Sequence, residues 1–417
     1  MYFLNVRVSV NNISENLIGK LLSYFSQVIC VGIILVAGCS TSEIVIQPAG
    51  TDEILEGSAQ EPVQEDPQSE FLPVRTKTVT GYYAWWMKGA WLEMDLSVYD
   101  RIVFFSTTPA SDGSLLERNG WPYAWVSLLS EADRLDIPVV PTLALLDADS
   151  IRVLFSSAEA TDRLIETSLQ LIEESGGRGI HLDIEYFEAA PDTVKDHFQH
   201  YTDSLAQAVE SHWPEAQLSM FVPAFDYAGL YDLESIHPRY DELIIQGYDL
   251  HWQTGPSAGP VSPMAGWGND NWHGVLDRYL DAGISPDRIV MSVPYFGYEW
   301  PVASPDVGAL TRGDGLIVTF APVDSLILPQ YRTSALDRIT QHGVQRDDVS
   351  GSPFYMFEDS TGLWQGWFED DVSLGAKYQF ILDRDLGGVA TFPMGYDSGI
   401  LDPLLLQSFG YRDRNTN

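Results

Sequence analysis

Cysteine is scarce in this chain of 417 residues, which has only Cys30 and Cys39, both near the N-terminus. Two cysteines cannot build a disulfide framework or a zinc site made of several cysteines, so both are excluded. Basic residues are also few, because 23 Lys and Arg stand against 59 Asp and Glu and give a formal net charge of −36. A protein this acidic repels phosphate backbones and anionic lipids, so we expect no nucleic-acid partner.

The apolar run near the N-terminus, Val28–Gly38, is shorter than the roughly 20 residues that a membrane-spanning helix needs. It follows Arg7 and Lys20 and ends in small residues, a pattern typical of a secretory signal peptide. The segment Val36–Cys39 resembles the cleavage box of bacterial lipoproteins, in which the cysteine becomes the acylated first residue. An ordinary cleaved signal or a signal anchor is the alternative.

This resemblance predicts a lipoprotein signal peptide over residues 1–38 and lipidation of Cys39. Several acyl chains on one cysteine hold a protein stably, so we expect attachment to a membrane through the lipid anchor only. The expected location is the bacterial cell envelope, at the outer membrane or the cell surface. Residues 39–73 contain many acidic residues, Pro, Gly, Ser, Thr and Gln but no Lys or Arg, which predicts a flexible acidic tether.

From residue 74 onwards, short β-branched runs alternate with amphipathic segments such as Thr161–Ser175 and Asp192–Ser211. Eight strands with helices between them predict an α/β protein, a (β/α)8 TIM barrel over residues 74–410. A doubly wound open sheet is the alternative, but the sequence shows no Gly-rich phosphate loop to support it. The predicted strands are Val79–Trp85, Arg101–Ser106, Val139–Leu145, Gly179–Tyr186, Gln217–Pro223, Glu242–Tyr248, Arg288–Pro294 and Gly388–Phe392.

One gap between the predicted strands is too long for a single crossover. It runs from Tyr298 to about Leu386 and contains two strand-like pieces, Leu316–Phe320 and Phe354–Phe357. Connections in compact domains are usually much shorter. We therefore predict a small inserted α+β lobe, at about residues 300–370, before the last strand.

The fourth predicted strand, Gly179–Tyr186, carries His181, Asp183 and Glu185 on one face and apolar residues on the other. The ionisable face would point into the barrel, where charges are costly unless they are paired or functional. Barrel enzymes place catalytic groups at the C-terminal ends of strands. Burial beside a second carboxylate should raise the pKa of one carboxyl, as a general acid requires. A hydrogen-bonded polar ladder or a divalent-metal site is the alternative.

This strand resembles the motif D-x-x-D-x-D-x-E of glycoside hydrolase family 18, the chitinase-like enzymes. Asp183 and Glu185 match its last two acidic positions, whereas Arg178 and His181 replace the first two. The resemblance covers roughly residues 79–400 and implies the barrel with its lobe. Further segments are similar to the family's first, fifth, sixth, seventh and last strands, in that order: Gly81–Tyr83, Phe221–Ala224, Gln246–Asp249, Arg288–Gly297 and Leu386–Phe392.

The resemblance implies a retaining hydrolase of β-linked N-acetylglucosamine glycans, in which the substrate's own acetamide oxygen attacks C1. Glu185 would protonate the leaving oxygen and then activate water, while Asp183 would orient the acetamide group. Tyr248 would donate to the acetamide oxygen, and Asp249 would bind a sugar hydroxyl or support Glu185. No cofactor and no metal is implied. Chitin, peptidoglycan and the chitobiose core of N-glycans remain open as substrates.

Four further residues are predicted to bind substrate: Tyr82, His181, Trp252 and Phe392. His181 replaces an aspartate that in the family shares a proton with the next one, so it would donate to Asp183 or, if charged, hold Asp183 ionised. Phe392 replaces a tryptophan that floors the cleavage subsite. Trp300, after the seventh strand, is another candidate for the cleft. A sugar-binding lipoprotein that has lost catalysis and a metal-dependent barrel hydrolase are the alternative functions.

Overall fold

A computed structural model of the protein describes residues 74–323 and 333–412. The signal peptide, the tether and Cys39 lie outside the described residues, so those assignments stay predictions. The strands within these ranges are β1 (Thr78–Ala84), β2 (Arg101–Pro109), β3 (Leu115–Glu117), β4 (Val139–Leu145), β5 (Gly179–Ile184), β6 (Gln217–Val222), β7 (Glu242–Ile245), β8 (Ile289–Pro294), β9 (Phe296–Pro301), β10 (Leu316–Thr319), β11 (Gln345–Arg346), β12 (Pro353–Asp359), β13 (Gly362–Trp367) and β14 (Gly388–Phe392).

The α-helices of the same ranges lie mostly between barrel strands. They are α1 (Val126–Arg134), α2 (Ala148–Leu154), α3 (Ala158–Glu174), α4 (Asp192–His212), α5 (Leu233–Ile236), α6 (Trp272–Asp281), α7 (Ala335–His342), α8 (Asp371–Asp383) and α9 (Asp402–Phe409). Helix α3 shows why they form where they do. Ser157 caps its first turn by accepting from the Ala160 N–H, while Leu164, Leu171 and Ile172 bury one face of the helix.

Eight parallel strands close into a barrel, in the order β1-β14-β8-β7-β6-β5-β4-β2, and β2 pairs back with β1. The predicted (β/α)8 barrel is therefore confirmed. Strand β7 ends at Ile245, earlier than the predicted Tyr248. The Gly247 N–H donates to the side chain of Ser292 instead of to a neighbouring backbone carbonyl, so the ladder stops and Tyr248 leaves the sheet.

Polar side chains fill the lower barrel in two layers. At the N-terminal strand ends, Arg101 is buried, donates to Gln217 Oε1 at 2.9 Å and to Thr80 Oγ1 at 3.1 Å, and forms an ion pair with Glu242. On β5, Gly179 pairs with Gln217, and His181 comes two residues later. His181 therefore lies in the next layer. This part of the barrel is thus a packed core, and enzymes of this fold place their catalytic groups at the C-terminal mouth instead.

The inserted lobe follows β8 directly and forms its own antiparallel sheet, in the order β10-β9-β13-β12-β11. Glu299 on β9 is buried and accepts hydrogen bonds from Arg338 on α7 and from the Tyr355 hydroxyl, at 2.5 and 2.7 Å. This network joins the helix to the sheet. In the part of the chain that the structure describes, no helix combines the length and hydropathy needed to cross a membrane.

Candidate active site

Asp183 and Glu185 stand at the C-terminal end of β5. The Glu185 N–H donates to the Leu145 carbonyl on β4 at 3.1 Å, so the extended backbone continues past the strand and the two carboxyls keep the same side of the chain. Asp183 is buried, and Glu185 is partly exposed where it lines an open cleft. The carboxyl of Asp183 thus lies deeper in the barrel than the carboxyl of Glu185, which faces the cleft.

Burial dominates the electrostatics of this pair. It raises the pKa of Asp183, and it raises the pKa of Glu185 well above the usual range, with further increases from the charges of Asp183 and Asp249. Asp183 Oδ1 is buried and has no hydrogen-bond partner among the described residues. Glu185 can therefore hold a proton near neutral pH, and Asp183 keeps one buried oxygen that no described group satisfies.

His181 does not act on Asp183 in the ways that the sequence suggested. Its Nε2 lies 2.9 Å from the Tyr82 hydroxyl oxygen, and its Nδ1 lies 2.9 Å from Ser219 Oγ. Burial, followed by the charge of Arg101, holds the pKa of His181 well below its usual range, so the imidazole is neutral. The prediction that His181 donates to Asp183 is therefore wrong. The prediction that a charged His181 keeps Asp183 ionised is wrong as well.

Two predicted substrate-binding residues lie below the surface of the cleft. His181 is 0% exposed and Tyr82 is 1% exposed, so direct contact between substrate and His181 is ruled out in this structure. The Tyr82 ring meets His181 and Phe392 edge to face, with centroids 5.3 and 5.6 Å apart. Both residues therefore support the site from below. Arg178 lies outside it, exposed and paired with Asp133 at 2.7 Å.

We expect His181→Leu to lower the free energy of unfolding by about 2–5 kcal/mol, because it leaves two buried hydroxyls, of Tyr82 and Ser219, without their partner. Urea denaturation measures this. The double variant His181→Leu/Ser219→Ala should recover part of the loss, since one unsatisfied hydroxyl is removed. Stability equal to that of the wild type in His181→Leu would show that the hydrogen-bonded chain contributes nothing.

An aromatic floor closes the barrel beneath the mouth. The Tyr248 ring stacks on Phe392, with centroids 5.8 Å apart and planes 21° apart, and meets Phe296 edge to face at 5.6 Å. Burial raises the pKa of Tyr248 further above its usual value, so its hydroxyl stays protonated and available as a donor. Phe392 thus forms part of this floor through its contact with Tyr248, and its contact with substrate stays a prediction.

Asp249 follows Tyr248 with φ at 56°, a left-handed backbone that turns the chain sharply out of the barrel. It accepts a hydrogen bond from the Tyr298 hydroxyl at 2.8 Å. Burial raises the pKa of Asp249 to about 6, and the Tyr298 bond opposes that rise. Strand β9 of the lobe therefore reaches into the site through Phe296 and Tyr298.

Sequence reasoning missed Phe296 and Tyr298, although aromatic residues alternate from Phe296 to Trp300 immediately after a barrel strand. That alternation was the signal that could have found them. Trp300 itself is fully buried and donates to the Gln253 carbonyl at 2.9 Å. The prediction that Trp300 lines the cleft is wrong, because its indole is buried and its N–H is bonded to the loop after Trp252.

A cleft of about 600 Å³ opens beside Glu185 and Asp249. Trp252, 49% exposed, lines it as predicted from its place after the sixth strand. Phe187, Phe225 and Tyr227 also line the cleft and were missed, because they lie in loops with no repeating pattern. Within residues 74–323 and 333–412, no three His, Cys, Asp or Glu side chains are placed to share a metal ion.

A closed (β/α)8 barrel with buried carboxyls at its mouth and an aromatic-lined cleft has the layout of a barrel enzyme whose site lies at the C-terminal face. The chain belongs to glycosyl hydrolases family 18, since the model of that family matches residues 147–397. These residues contain the strands β5 to β8, the inserted lobe and β14. The family suggested by the fourth-strand motif is therefore confirmed.

Individual relatives are distant. The chain is 19% identical over 303 residues to a "Cortical fragment-lytic enzyme" of Bacillus anthracis, which covers 70% of this chain and 64% of that protein. It is 25% identical over 246 residues to "Probable chitinase 10" of Drosophila melanogaster, covering 53% of this chain and 10% of that one. The chain thus spans less than two thirds of the length of both.

Solved structures share the fold. A Group IV chitinase of Ostrinia furnacalis, in complex with allosamidin, superposes with a TM-score of 0.68 at 18% identity, over 80% of this chain and 98% of that one. A chitinase mutant of Cycas revoluta in complex with (GlcNAc)4 superposes with a TM-score of 0.67 at 18% identity, over 80% of this chain and 100% of that one. At these identities the likeness establishes the architecture only.

Proposed function

We propose that the protein is a retaining glycosidase that hydrolyses β-linked, N-acetylglucosamine-containing glycans by substrate-assisted catalysis. The observation that carries this proposal is the pair Asp183 and Glu185, which lie on one side of the chain with raised pKa values, next to an open cleft. Membership of the family supports it, and so do relatives named as chitinases and a structural neighbour that holds (GlcNAc)4.

In the first step the acetamide carbonyl oxygen of the sugar at the cleavage point attacks C1 of that sugar. The bond from C1 to the leaving oxygen breaks, and Glu185 gives its proton to that oxygen. Asp183 accepts the acetamide N–H through its unpartnered oxygen and stabilises the positive charge of the oxazolinium ion. Tyr248 donates its hydroxyl to the acetamide oxygen, and the stacked Phe392 supports the ring of Tyr248.

In the second step a water molecule attacks C1 from the side that the leaving group vacated. Glu185, now ionised, takes the proton of that water, and the acetamide group regains its carbonyl. Two displacements at C1 leave its configuration retained. The protein supplies position and electrostatic stabilisation to both steps through groups that are already fixed by packing.

The test is a panel of four substrates: (GlcNAc)6, colloidal chitin, peptidoglycan and a glycopeptide with a chitobiose core. We expect cleavage of at least one, and proton NMR in the first minutes should show the β-anomer as the initial product. An initial α-anomer would refute the retaining mechanism. Binding without product release would favour the carbohydrate-binding alternative, and loss of activity with EDTA would favour the metal-dependent one.

A further inference from the structure

Side chains hold the backbone at Gly247, between the end of β7 and the site. The Gly247 N–H donates to Ser292 Oγ on β8 at 3.1 Å. The Gly247 carbonyl accepts from Trp272 Nε1 at 2.8 Å and from Ser262 Oγ at 2.5 Å. We name the side chains of Trp272 and Ser262 the carbonyl clamp. Both polar backbone groups of Gly247 are thus satisfied by side chains, at the point where the ladder of β7 has ended.

The carbonyl clamp needs a glycine at position 247. A Cβ atom on Gly247 would lie 2.1 Å from the Ser292 carbonyl oxygen and 3.0 Å from the Trp272 ring. Both distances are shorter than a comfortable contact between non-bonded heavy atoms. Any side chain at this position would therefore push β8 or α6 away, and the indole N–H could no longer reach the carbonyl.

Trp272 is held in place by packing and not by the cleft. It is 0% exposed, and its Nε1 also lies 2.9 Å from Ser262 Oγ, so the two members of the carbonyl clamp fix each other. Its own N–H donates to the Pro263 carbonyl at 3.0 Å. From α8, the Phe380 ring meets the indole edge to face at 6.1 Å, and Lys377 Nζ lies 5.6 Å from the indole. The donor is therefore fixed before any ligand arrives.

The carbonyl that the clamp holds belongs to the peptide bond leading into Tyr248. Because a peptide unit is planar, fixing the Gly247 oxygen on two donors also fixes the plane that contains the N and Cα atoms of Tyr248. The chain is tied again just after the site, where the Leu250 N–H donates to the Val261 carbonyl at 3.0 Å. Tyr248 and Asp249 therefore leave the barrel between two anchored points.

We propose that Trp272 is a positioning residue for hydrolysis: through the Gly247 carbonyl, the carbonyl clamp aims the Tyr248 hydroxyl at the acetamide oxygen of the bound sugar. This inference rests on the proposed function, in which Tyr248 donates to that oxygen. It extends that function because it assigns control of one catalytic donor to a buried residue that does not line the cleft.

The test measures kcat and KM of Trp272→Phe on the substrate of the panel that the wild type cleaves fastest. Phenylalanine keeps an aromatic ring but loses the N–H. We expect kcat to fall about tenfold, since a misplacement of about 1 Å can cost about 10²-fold. KM should stay within about twofold, because an aim that matters only in the transition state affects kcat. Ser262→Ala removes one donor and leaves the other, so its kcat should fall about threefold.

A double-variant cycle separates positioning from a general loss of structure. If the carbonyl clamp acts through the Tyr248 hydroxyl, Trp272→Phe should lower kcat by less than about twofold in the Tyr248→Phe background, where that hydroxyl is absent. Trp121→Phe is the matched control for losing a buried indole. Trp121 is 1% exposed, and its Nε1 has no partner among the described residues, so kcat should stay near the wild-type value.

An unchanged kcat in both Trp272→Phe and Ser262→Ala, with an active wild type, would overturn the carbonyl clamp. An equal fall of kcat with and without the Tyr248 hydroxyl would also overturn it, because the loss would then be a general one. If Trp272→Phe does not fold, the same cycle with Ser262→Ala decides by the same criteria. A wild type that cleaves no substrate of the panel would overturn the proposed function instead, so the two failures are distinct.

Discussion

Replacing Glu185 by glutamine should lower kcat on N-acetylglucosamine oligomers by about 10²–10⁴-fold, the range typical of a lost general acid. Glutamine keeps the size of the side chain and its hydrogen-bonding capacity but cannot transfer a proton to the leaving oxygen. Burial and the charges of Asp183 and Asp249 raise the pKa of Glu185 well above its usual range, which prepares this group to donate that proton. Initial-rate kinetics on (GlcNAc)6 measure the effect.

Glu188→Gln is the matched control for that variant. Glu188 lies three residues further along the same loop, is exposed, and undergoes the same chemical change. Its kcat should stay within about twofold of the wild type, as for most surface substitutions. If Glu185→Gln keeps wild-type turnover, Glu185 is not the acid and the mechanism is wrong. If wild type and variant both bind oligomers without turnover, the protein is a binding member of the family.

Asp183→Asn should lower kcat by about 10²–10³-fold, because it removes the negative charge beside the developing oxazolinium ion. It should also change the pH profile. In the proposed mechanism, activity requires a protonated Glu185 and should be lost as the pH rises through the pKa of Glu185. The charge of Asp183 raises that pKa, so removing it should move the alkaline limb of the residual activity to lower pH.

The acidic limb supplies a second readout of Asp183. In the wild type the acidic limb should reflect protonation of Asp183, whose pKa is raised by burial, and of Asp249, whose pKa burial raises to about 6. Asparagine cannot titrate, so only the contribution of Asp249 should remain. Asp196→Asn, on the exposed face of α4, controls for a loss of one acidic residue. An alkaline limb that does not move would show that the two carboxyls are not coupled.

Local patterns accounted for the barrel because each strand carries its own signal. The run Arg101–Ser106 is β-branched and aromatic, and the structure has it as β2 with its start at Arg101. The ends of strands were less predictable, because a strand ends where its hydrogen bonds to the neighbouring strand end. The loss of pairing after Ile245 depends on Ser292, which is 47 residues away in the chain.

The site was predictable only along a single strand. Period-two alternation placed Asp183 and Glu185 on one side of the chain, because successive side chains of an extended backbone point in opposite directions. His181 belongs to the same pattern, but its role was predicted wrongly. Its partners, Tyr82 and Ser219, lie 99 and 38 residues away on two other strands, and no local period reports which side chains such strands bring together.

By itself, then, the sequence determined the barrel, the family and the strand that carries the carboxyls, since these depend on short repeats and motifs. Only the tertiary structure decided that His181 meets the Tyr82 hydroxyl, that Tyr298 of the lobe donates to Asp249, and that Phe225 and Tyr227 line the cleft. The register between distant strands and the path of their loops set these contacts, and both arise when the barrel closes.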